Sequence, residues 1–416
     1  MTPSGSGDGE AAGAARQFAL RNRVLLLSLA LSALGIATGV ATANSILAKA
    51  PLGYGGLILA GAVLAAACSL LHTRHLALAV LTAAAPLPGL IWAAPMSADA
   101  RFGVVPVLAY AFAYAIAVMQ AQNILVRTLD GAAADHLFKP VAAATGLMAA
   151  LLLLWFWRAA TGAAAFQAVL DVVLASASTL IVMPIGESFL HFDEMFVAAA
   201  NRVRERRQRV FEKIAMTAVP RWGMSIAGIA LIFVALAWFG AEPAFAFVHF
   251  ANAPVLLGVS LALTFAVAVS ACSGWREGFG AGVAAVLAGL AALWAFAVIG
   301  KMVPTSPVGV VELVSLASFL AFCGARRAAA YRRLGDDPAV ARLRAVEDLG
   351  GPQLFSTLGG IAALLPFSIV QPANAAYAVA LAFAGAGALG FAPALATACE
   401  MLVPRRRSVE ELFRRR

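Results

Sequence analysis

Asn201-Arg-Val-Arg-Glu-Arg-Arg-Gln-Arg209 lies at the centre of the longest polar interruption in an otherwise apolar chain, from Gly186 to Arg221. The interruption separates two halves of similar length and pattern. An apolar stripe at spacings of four and seven residues runs along it: Phe192, Phe196, Val203, Val210 and Ile214. Such a stripe on a basic helix predicts an amphipathic helix on the anionic cytoplasmic leaflet, with the stripe in the headgroup layer. The alternative interpretation is a solvated charged linker.

Composition indicates a polytopic membrane protein of the all-α class. Of the 416 residues, 62% are hydrophobic and 12% are charged, and the mean hydropathy is +0.88. A membrane-spanning helix needs about 20 apolar residues. Twelve windows meet this requirement, and we predict that each spans the membrane once: residues 24–42, 55–72, 75–94, 103–125, 138–157, 164–186, 222–240, 254–272, 279–299, 307–325, 354–370 and 374–399.

The distribution of basic residues predicts the orientation of these spans. With a cytoplasmic amino terminus, all but four of the 30 Lys and Arg residues fall on the cytoplasmic side; the four are Lys49, Arg101, Arg158 and Lys301. This asymmetry predicts a bacterial inner-membrane protein with both termini in the cytoplasm. The predicted segments are a cytoplasmic tail at 1–23, a six-helix half at 24–186, a basic amphipathic linker helix at 187–221, a second six-helix half at 222–404 and a basic cytoplasmic tail at 405–416.

The amino-terminal region has a second interpretation. Arg21 and Arg23, the apolar run after them and Ala41-Thr-Ala43 are also typical of a signal peptide with its cleavage site. The run is longer than the apolar core of a usual signal peptide, so we interpret it as the first span.

The formal charge of +9 has an explanation that needs no nucleic acid, because the Arg residues lie beside predicted spans. The four Cys residues lack the C-x-x-C spacing of metal sites, so buried thiols are expected. We expect no metal and no cofactor.

Local matches between the halves suggest an internal repeat. Phe102-Gly-Val-Val-Pro106 begins the fourth window, and Val308-Gly-Val-Val-Glu312 begins the tenth. The fifth window opens with Leu137-Phe138, and the eleventh opens with Leu354-Phe355. The sixth and twelfth windows each carry a late proline, Pro184 and Pro393. Because the matches occur in the same order, they predict two parallel six-helix pseudo-repeats.

The carboxyl-terminal region resembles a known family of transporters. Tyr331-Arg-Arg, Asp336-Asp-Pro338, Arg344-Ala-Val-Glu-Asp-Leu-Gly-Gly-Pro352 and Leu354-Phe-Ser-Thr-Leu358 look like the cytoplasmic link and following helix of resistance-nodulation-division (RND) permeases. The MMPL lipid exporters are the more similar branch. The motif similarity covers roughly residues 306–407. It implies a permease core in which a short amphipathic helix ends near Gly-Pro before the next helix re-enters the membrane.

The chain departs from this family in two respects. Family members carry large periplasmic porter domains after the first and seventh spans, whereas the corresponding links here, 43–54 and 241–254, are too short to fold as domains. Proton-driven members also place carboxylates in the middle of the fourth or tenth span. Here the fourth has no acidic residue between Phe102 and Leu129, and the tenth has only Glu312. Neither the porter duct nor the classical proton relay of the family can therefore be carried over to this chain.

Ionisable residues inside predicted spans are candidate functional residues, because burying a charge in a bilayer costs about 2.5–3.5 kcal/mol at a helix centre. Glu312 is predicted about 8 Å inside the outer boundary of the tenth window, and Ser315 and Ser318 continue its polar face. It either couples to protons or substrate, or reaches the outer interface and pairs with Lys301. Asp171, at similar depth, either is functional or pairs with Arg158.

Two further groups are candidates. Glu187 and His191 lie where the sixth window meets the basic segment; they could relay protons or bind a metal, or they could join a lattice of salt bridges on one helix. Tyr110 and Tyr114, one helical turn apart in the fourth window, could line a cavity for an amphipathic substrate or form hydrogen bonds between helices.

These observations favour a transporter of a lipid-like or hydrophobic small molecule over an enzyme, because no catalytic motif is present. A major-facilitator-type carrier is an alternative, although His72-Thr-Arg-His75 lacks the Gly-x-x-x-Asp-Arg signature of that family. A non-transporting membrane subunit or scaffold is the other alternative. The expected partners are membrane lipids, a hydrophobic substrate and either a second copy of the chain or a membrane or periplasmic subunit.

Overall fold

A computed structural model describes residues 53–93, 104–130, 138–159, 162–190, 194–218, 253–271, 275, 278–286, 308–369 and 373–389. Within these ranges the regular structure is entirely helical. In chain order the helices are α1 (Gly53–Thr73), α2 (Leu76–Ala84), α3 (Leu87–Ala93), α4 (Val104–Asp130), α5 (Phe138–Ala159), α6 (Gly162–Glu187), α7 (Glu194–Ala218), α8 (Ala253–Ala271), α9 (Val308–Arg333), α10 (Pro338–Leu364) and α11 (Ala373–Leu389). A 3₁₀ turn, Leu365–Ile369, follows α10, and residues 278–286 are mostly helical.

These helices confirm an all-helical, multi-pass membrane protein. Within the described residues, four helical segments are long and apolar enough to cross a membrane: Gly56–Thr73, Ala109–Val126, Val169–Glu187 and Val340–Ile369. Shorter apolar segments occur at Leu76–Leu90, Lys139–Leu154 and Gly258–Ser270. The predicted spans 24–42 and 222–240 lie outside the described residues, as do both predicted tails.

The third predicted span is not one helix. Residues 75–94 form α2 and α3, which are separated by a turn at Ala85 and Pro86. Proline lacks the backbone N–H that would continue the ladder of α2. The Ser178 hydroxyl on α6 donates to the carbonyl of Ala85 at 2.6 Å, so a neighbouring helix satisfies an acceptor at the break. Gly89 lets α3 approach the α6 backbone, because a Cβ atom there would overlap Leu174.

Helix α10 corrects the expectation of a short amphipathic helix that ends near Gly-Pro. The helix runs without a break through Gly350, Gly351 and Pro352 to Leu364. Leu354 and Phe355 therefore lie in mid-helix, whereas their predicted counterpart Phe138 begins α5. Pro393, the late proline of the twelfth predicted window, lies outside the described residues.

The centre of the bundle is formed by α4 and α10. Small residues of α4 are buried at two-residue intervals from Ala109 to Ala117, so neighbouring helices approach it closely. The Ser356 hydroxyl of α10 donates to the carbonyl of Ala115 at 2.7 Å and joins the two backbones. Phe112 of α4 packs edge-on against Phe319 of α9, with ring centroids 6.3 Å apart. The core thus lies where α4, α9 and α10 meet.

Several helix contacts of the first half have counterparts in the second. Helix α4 contacts α10 as α9 contacts α5, and α1 contacts α10 as α8 contacts α5. Within the halves, α5–α6 corresponds to α10–α11, α4–α6 to α9–α11, and α1–α4 to α8–α9. The predicted order of spans assigns the same pairs, so the described helices pack in matched sets around α4 and α9.

Candidate functional site

Polar side chains gather at one end of the bundle, which we call the basic end: α1, α4, α6 and α9 end there, α10 begins there, and α7 packs across it. The docking of α7 places its own side chains at this end. Phe211 is 8% exposed, and its ring lies directly over Gly350 of α10, where any Cβ atom would overlap it. Ala200, also buried, packs with Ile124 and Leu125 of α4. Helix α7 is therefore attached to both halves.

This arrangement corrects the predicted apolar stripe. The side chain that anchors α7 is Phe211, whereas Val210 is 57% exposed. Phe192 and the side chains of Phe196 and Ile214 lie outside the described residues. Val210 of the predicted stripe therefore lies off the face that Phe211 packs against α10. The predicted position of the helix on the membrane surface stays a prediction, to which the structure adds this contact with the bundle.

Asp348 of α10 is the centre of a partly buried hydrogen-bond network, here called the Asp348 cluster, with Arg327, Tyr331 and Gln208. The Arg327 guanidinium donates to Oδ2 of Asp348 from Nη2 at 2.8 Å and from Nε at 3.2 Å. The Tyr331 hydroxyl donates to the same oxygen. Nε2 of Gln208 on α7 donates to Oδ1 at 2.8 Å. The two side chains of the ion pair are only 14% and 10% exposed. One carboxylate therefore ties α7, α9 and α10 together.

The carboxylate of Asp348 lies between two small cavities, each of about 40 Å³. The first is lined by side chains of α4, α5, α9 and α10, including Asn123 and Cys323. The second lies under α7 and is lined by residues of α1, α4 and α10, including His72 and Gln122. A cavity needs about 10–15 Å³ for each water molecule, whereas pockets for drug-sized ligands enclose about 300–1,000 Å³. Water or a single small polar group fits these spaces, and a lipid-sized substrate does not.

Gln122 is the polar group of the second cavity without a partner in the described part of the chain. Its side chain is fully buried, and neither Oε1 nor Nε2 has a hydrogen bond there. An unsatisfied buried amide costs about 1–3 kcal/mol. An ordered water in the cavity would satisfy it, since a buried water makes about three hydrogen bonds.

Tyr110 and Tyr114 bond to helix carbonyls and line neither of these two cavities. The Tyr110 hydroxyl donates to the carbonyl of Ile58 on α1. The Tyr114 hydroxyl donates to the carbonyl of Ala83 on α2 at 2.7 Å. Their rings meet edge to face with centroids 4.7 Å apart. In this arrangement both tyrosines hold α4 against α1 and α2.

Asp171 lies in the membrane-spanning part of α6 and is 4% exposed. Within the described part of the chain no basic side chain forms an ion pair with it. The side chain of Arg158, its predicted partner, lies outside the described residues, as does that of Glu312. Ser315 and Ser318, which follow Glu312 on α9, are fully buried, and Ser318 donates to the carbonyl of Val314 at 2.6 Å.

Glu187 and the basic segment do not share one helix. Helix α6 ends at Glu187, a turn follows, and α7 begins at Glu194. The carboxylates of Glu187 and Glu194 therefore cannot lie on one face of a single helix, so the predicted salt-bridge lattice on one helix does not form across this boundary. Glu187 is half-buried, and His191 lies outside the described residues.

Sequence reasoning did not single out the Asp348 cluster. Arg327 and Tyr331 are one turn apart on α9, a spacing that places both side chains on one face. Their acceptor comes from the next helix, and Gln208 comes from a segment 140 residues away in the chain. Only the tertiary fold brings these groups together.

The sequence matches no family model and no curated protein. The fold is similar to that of solved SecDF structures. SecDF from Thermus thermophilus, a translocon-associated membrane protein, matches with a TM-score of 0.54 and 12% identity over 82% of this chain and 62% of the SecDF chain. SecDF in its super-membrane-facing form has a TM-score of 0.49 and 13% identity over 86% of this chain and 64% of that chain.

At 12% identity the first match establishes similarity of fold alone, and this chain spans less than two thirds of the SecDF chain. The match agrees in fold with the permease core expected from the sequence. The resemblance to the MMPL branch stays a prediction from the sequence. The chain is a multi-pass, all-helical membrane protein whose fold is similar to that of SecDF.

Proposed function

We propose that this chain is the transmembrane core of an RND-type transporter in the bacterial inner membrane, with both termini in the cytoplasm. The proposed architecture is twelve spanning helices in two six-helix halves, and the proposed substrate is a lipid-like or hydrophobic small molecule. No enzymatic activity is proposed. Transport would proceed by rocking of one half against the other around α4 and α9.

The observation that carries this proposal is the matched set of helix contacts. The α4–α10 contact has its counterpart in α9–α5, and the α1–α10 contact in α8–α5. Paired halves of this kind are a common design for alternating access. The SecDF-like fold also favours an RND-type core over a major-facilitator carrier. The MMPL-like choice of substrate rests on the sequence resemblance alone.

A second candidate is a non-transporting subunit of a larger membrane assembly. It is favoured by the close packing of the described part of α4, where every residue from Ala109 to Gln122 is buried. SecDF itself is described as translocon-associated. A chain that acts as a scaffold needs no substrate passage, so a filled core would not impair it.

Transport by proteoliposomes separates the two candidates. The wild type, Asp171→Asn and Glu312→Gln would be reconstituted, with Asp336→Asn as a matched control, because Asp336 lies in the polar turn between α9 and α10. A panel of lipophilic fluorescent compounds is followed with and without a proton gradient. The transporter proposal predicts movement driven by the gradient and lost in at least one of the two span variants. No movement in any folded, inserted protein would reject the transporter and favour the subunit.

A further inference from the structure

The exposed side of α7 carries a regular row of cations. Arg202, Arg206, Arg209 and Lys213 are all exposed and recur at spacings of four, three and four residues. At 3.6 residues per turn, these positions fall within about 60° of one another around the helix. We call this row the α7 cation stripe. Three of its four members are arginines, whose guanidinium groups bind phosphate oxygens in a bidentate manner.

The cation stripe and the docked face lie on opposite sides of α7. By the same helical geometry Phe211 lies about 170° from the centre of the stripe, and its ring rests on Gly350. Packing against α10 therefore holds the cations away from the protein. An isolated basic helix could rotate, whereas this one is fixed by Phe211 and by the Gln208–Asp348 hydrogen bond of 2.8 Å.

A third face of α7 is apolar and borders the stripe. Val203 and Val210 lie about 70–90° from the stripe centre. Val210 is 57% exposed, and Val203 lines the second cavity together with Arg74 at the end of α1. An apolar edge beside a basic edge is the arrangement of helices that lie in a membrane interface, with the apolar side toward the acyl chains.

The depth of α7 agrees with such a position. Its anchor Phe211 packs against Gly350, four residues before the sequence-predicted span 354–370, and the charged residues Arg344, Glu347 and Asp348 precede Gly350 on α10. Four residues of helix correspond to about 6 Å. The polar layer on each side of a bilayer is about 5–8 Å thick. The anchor of α7 therefore lies at about the level of the headgroups.

We propose that the α7 cation stripe is a docking surface for anionic phospholipid headgroups of the bilayer that surrounds the protein. Phosphate oxygens bind Arg202, Arg206 and Arg209, while Val210 faces the acyl chains. Glu205 and Glu212 flank the stripe on the side of the helix away from Val210. They therefore limit the width of the basic surface around the helix. Lipid binding holds α7 in its docked position against α10, so anionic lipid stabilises the contact between the linker and the second half.

Native mass spectrometry of the full-length protein tests the proposal, with phosphatidylglycerol as the anionic probe and phosphatidylcholine as the neutral one. The triple variant Arg202→Gln/Arg206→Gln/Arg209→Gln removes three cations from an exposed face. Each cation near an anionic surface changes affinity about fivefold at low salt, so phosphatidylglycerol retention should fall by up to about a hundredfold. Phosphatidylcholine retention should be unchanged. The companion variant Glu205→Gln/Glu212→Gln should strengthen phosphatidylglycerol binding.

The results that overturn the proposal are equally specific. Phosphatidylglycerol retention within twofold of wild type in the triple variant, with folding confirmed by circular dichroism, rejects the stripe as a lipid site. An equal loss of both lipids rejects it too, since headgroup charge then plays no part. If an acidic peptide binds the wild type while phosphatidylglycerol does not, the surface belongs to a protein partner. None of these outcomes depends on transport, so the transporter proposal can fail while this one stands.

Discussion

Replacing Asp348 by asparagine is expected to destabilise the folded protein strongly, although the two side chains have nearly the same shape. The substitution removes the negative charge that neutralises Arg327, whose side chain is 14% exposed and lies 2.8 Å from the carboxylate. The asparagine side chain keeps one acceptor oxygen, so part of the hydrogen bonding with Gln208 or Tyr331 survives. The main loss is therefore electrostatic.

The magnitude follows from burial. Leaving one member of a buried ion pair without its partner costs about 3–5 kcal/mol. The pair is not fully buried, it borders two small cavities and one acceptor remains, so we expect a loss of about 2–4 kcal/mol. Removing the cation as well should add little to this loss, because the first substitution has already broken the ion pair. Adding Arg327→Met to Asp348→Asn should cost less than about 1 kcal/mol more, which is the non-additivity expected of contacting residues.

Asp336→Asn provides the matched control, because it removes the same charge from an exposed pair. Arg344, its partner at 2.9 Å, has a side chain that is 54% exposed, and exposed pairs contribute about 0–1 kcal/mol. Unfolding would be followed by SDS titration of the protein in mixed micelles, with helicity as the signal. Equal losses for the Asp348 and Asp336 variants would refute the reasoning, since burial then would not determine the cost.

Three other substitutions test the packing, with the same unfolding measurement. Gln122→Met should leave stability unchanged or raise it by up to about 1 kcal/mol, because the buried amide has no partner among the described residues; a loss above about 1 kcal/mol would mean that a bound water or ligand holds it. Phe211→Ala should cost about 2–4 kcal/mol, whereas Val210→Ala, at the exposed neighbouring residue, should cost less than about 0.5 kcal/mol. Similar losses of stability in the two variants would show that Phe211 does not anchor α7. Gly89→Ala should cost more than about 2 kcal/mol, because the added methyl group would overlap the α6 backbone. Gly146→Ala has open space around it and should stabilise α5 by about 0.5–1 kcal/mol. A neutral result at Gly89 would contradict the close contact of α3 and α6.

The positions of individual helices were predictable to the extent that apolar length determines them. The windows at 55–72, 103–125, 138–157 and 254–272 coincide with α1, α4, α5 and α8 to within a few residues at most ends. Failures occurred where local signals conflict with packing. The window at 75–94 is apolar throughout, yet Pro86 and the bond from Ser178 divide it. Gly350-Gly351-Pro352 is typical of a helix end, yet α10 continues through it, with Phe211 of α7 packed over Gly350.

The candidate site was less predictable, because hydropathy gives no register between distant helices. Tyr110 and Tyr114 were identified by their polarity, and only the structure shows that their hydroxyls meet the carbonyls of Ile58 and Ala83. The prediction of an apolar stripe on α7 missed Phe211. This residue lies outside the stripe, and it anchors the helix because α10 packs against that side of α7.

The sequence by itself determined the class of protein, the approximate spans and the basic linker helix. Each of these depends on local composition, and a bilayer selects for long apolar helices irrespective of their neighbours. The tertiary structure alone decided which helices touch, where α7 docks and that Asp348 meets Arg327, Tyr331 and Gln208. Those contacts join residues far apart in the chain, and their geometry depends on helix rotation and close packing, which a pattern along one segment does not encode.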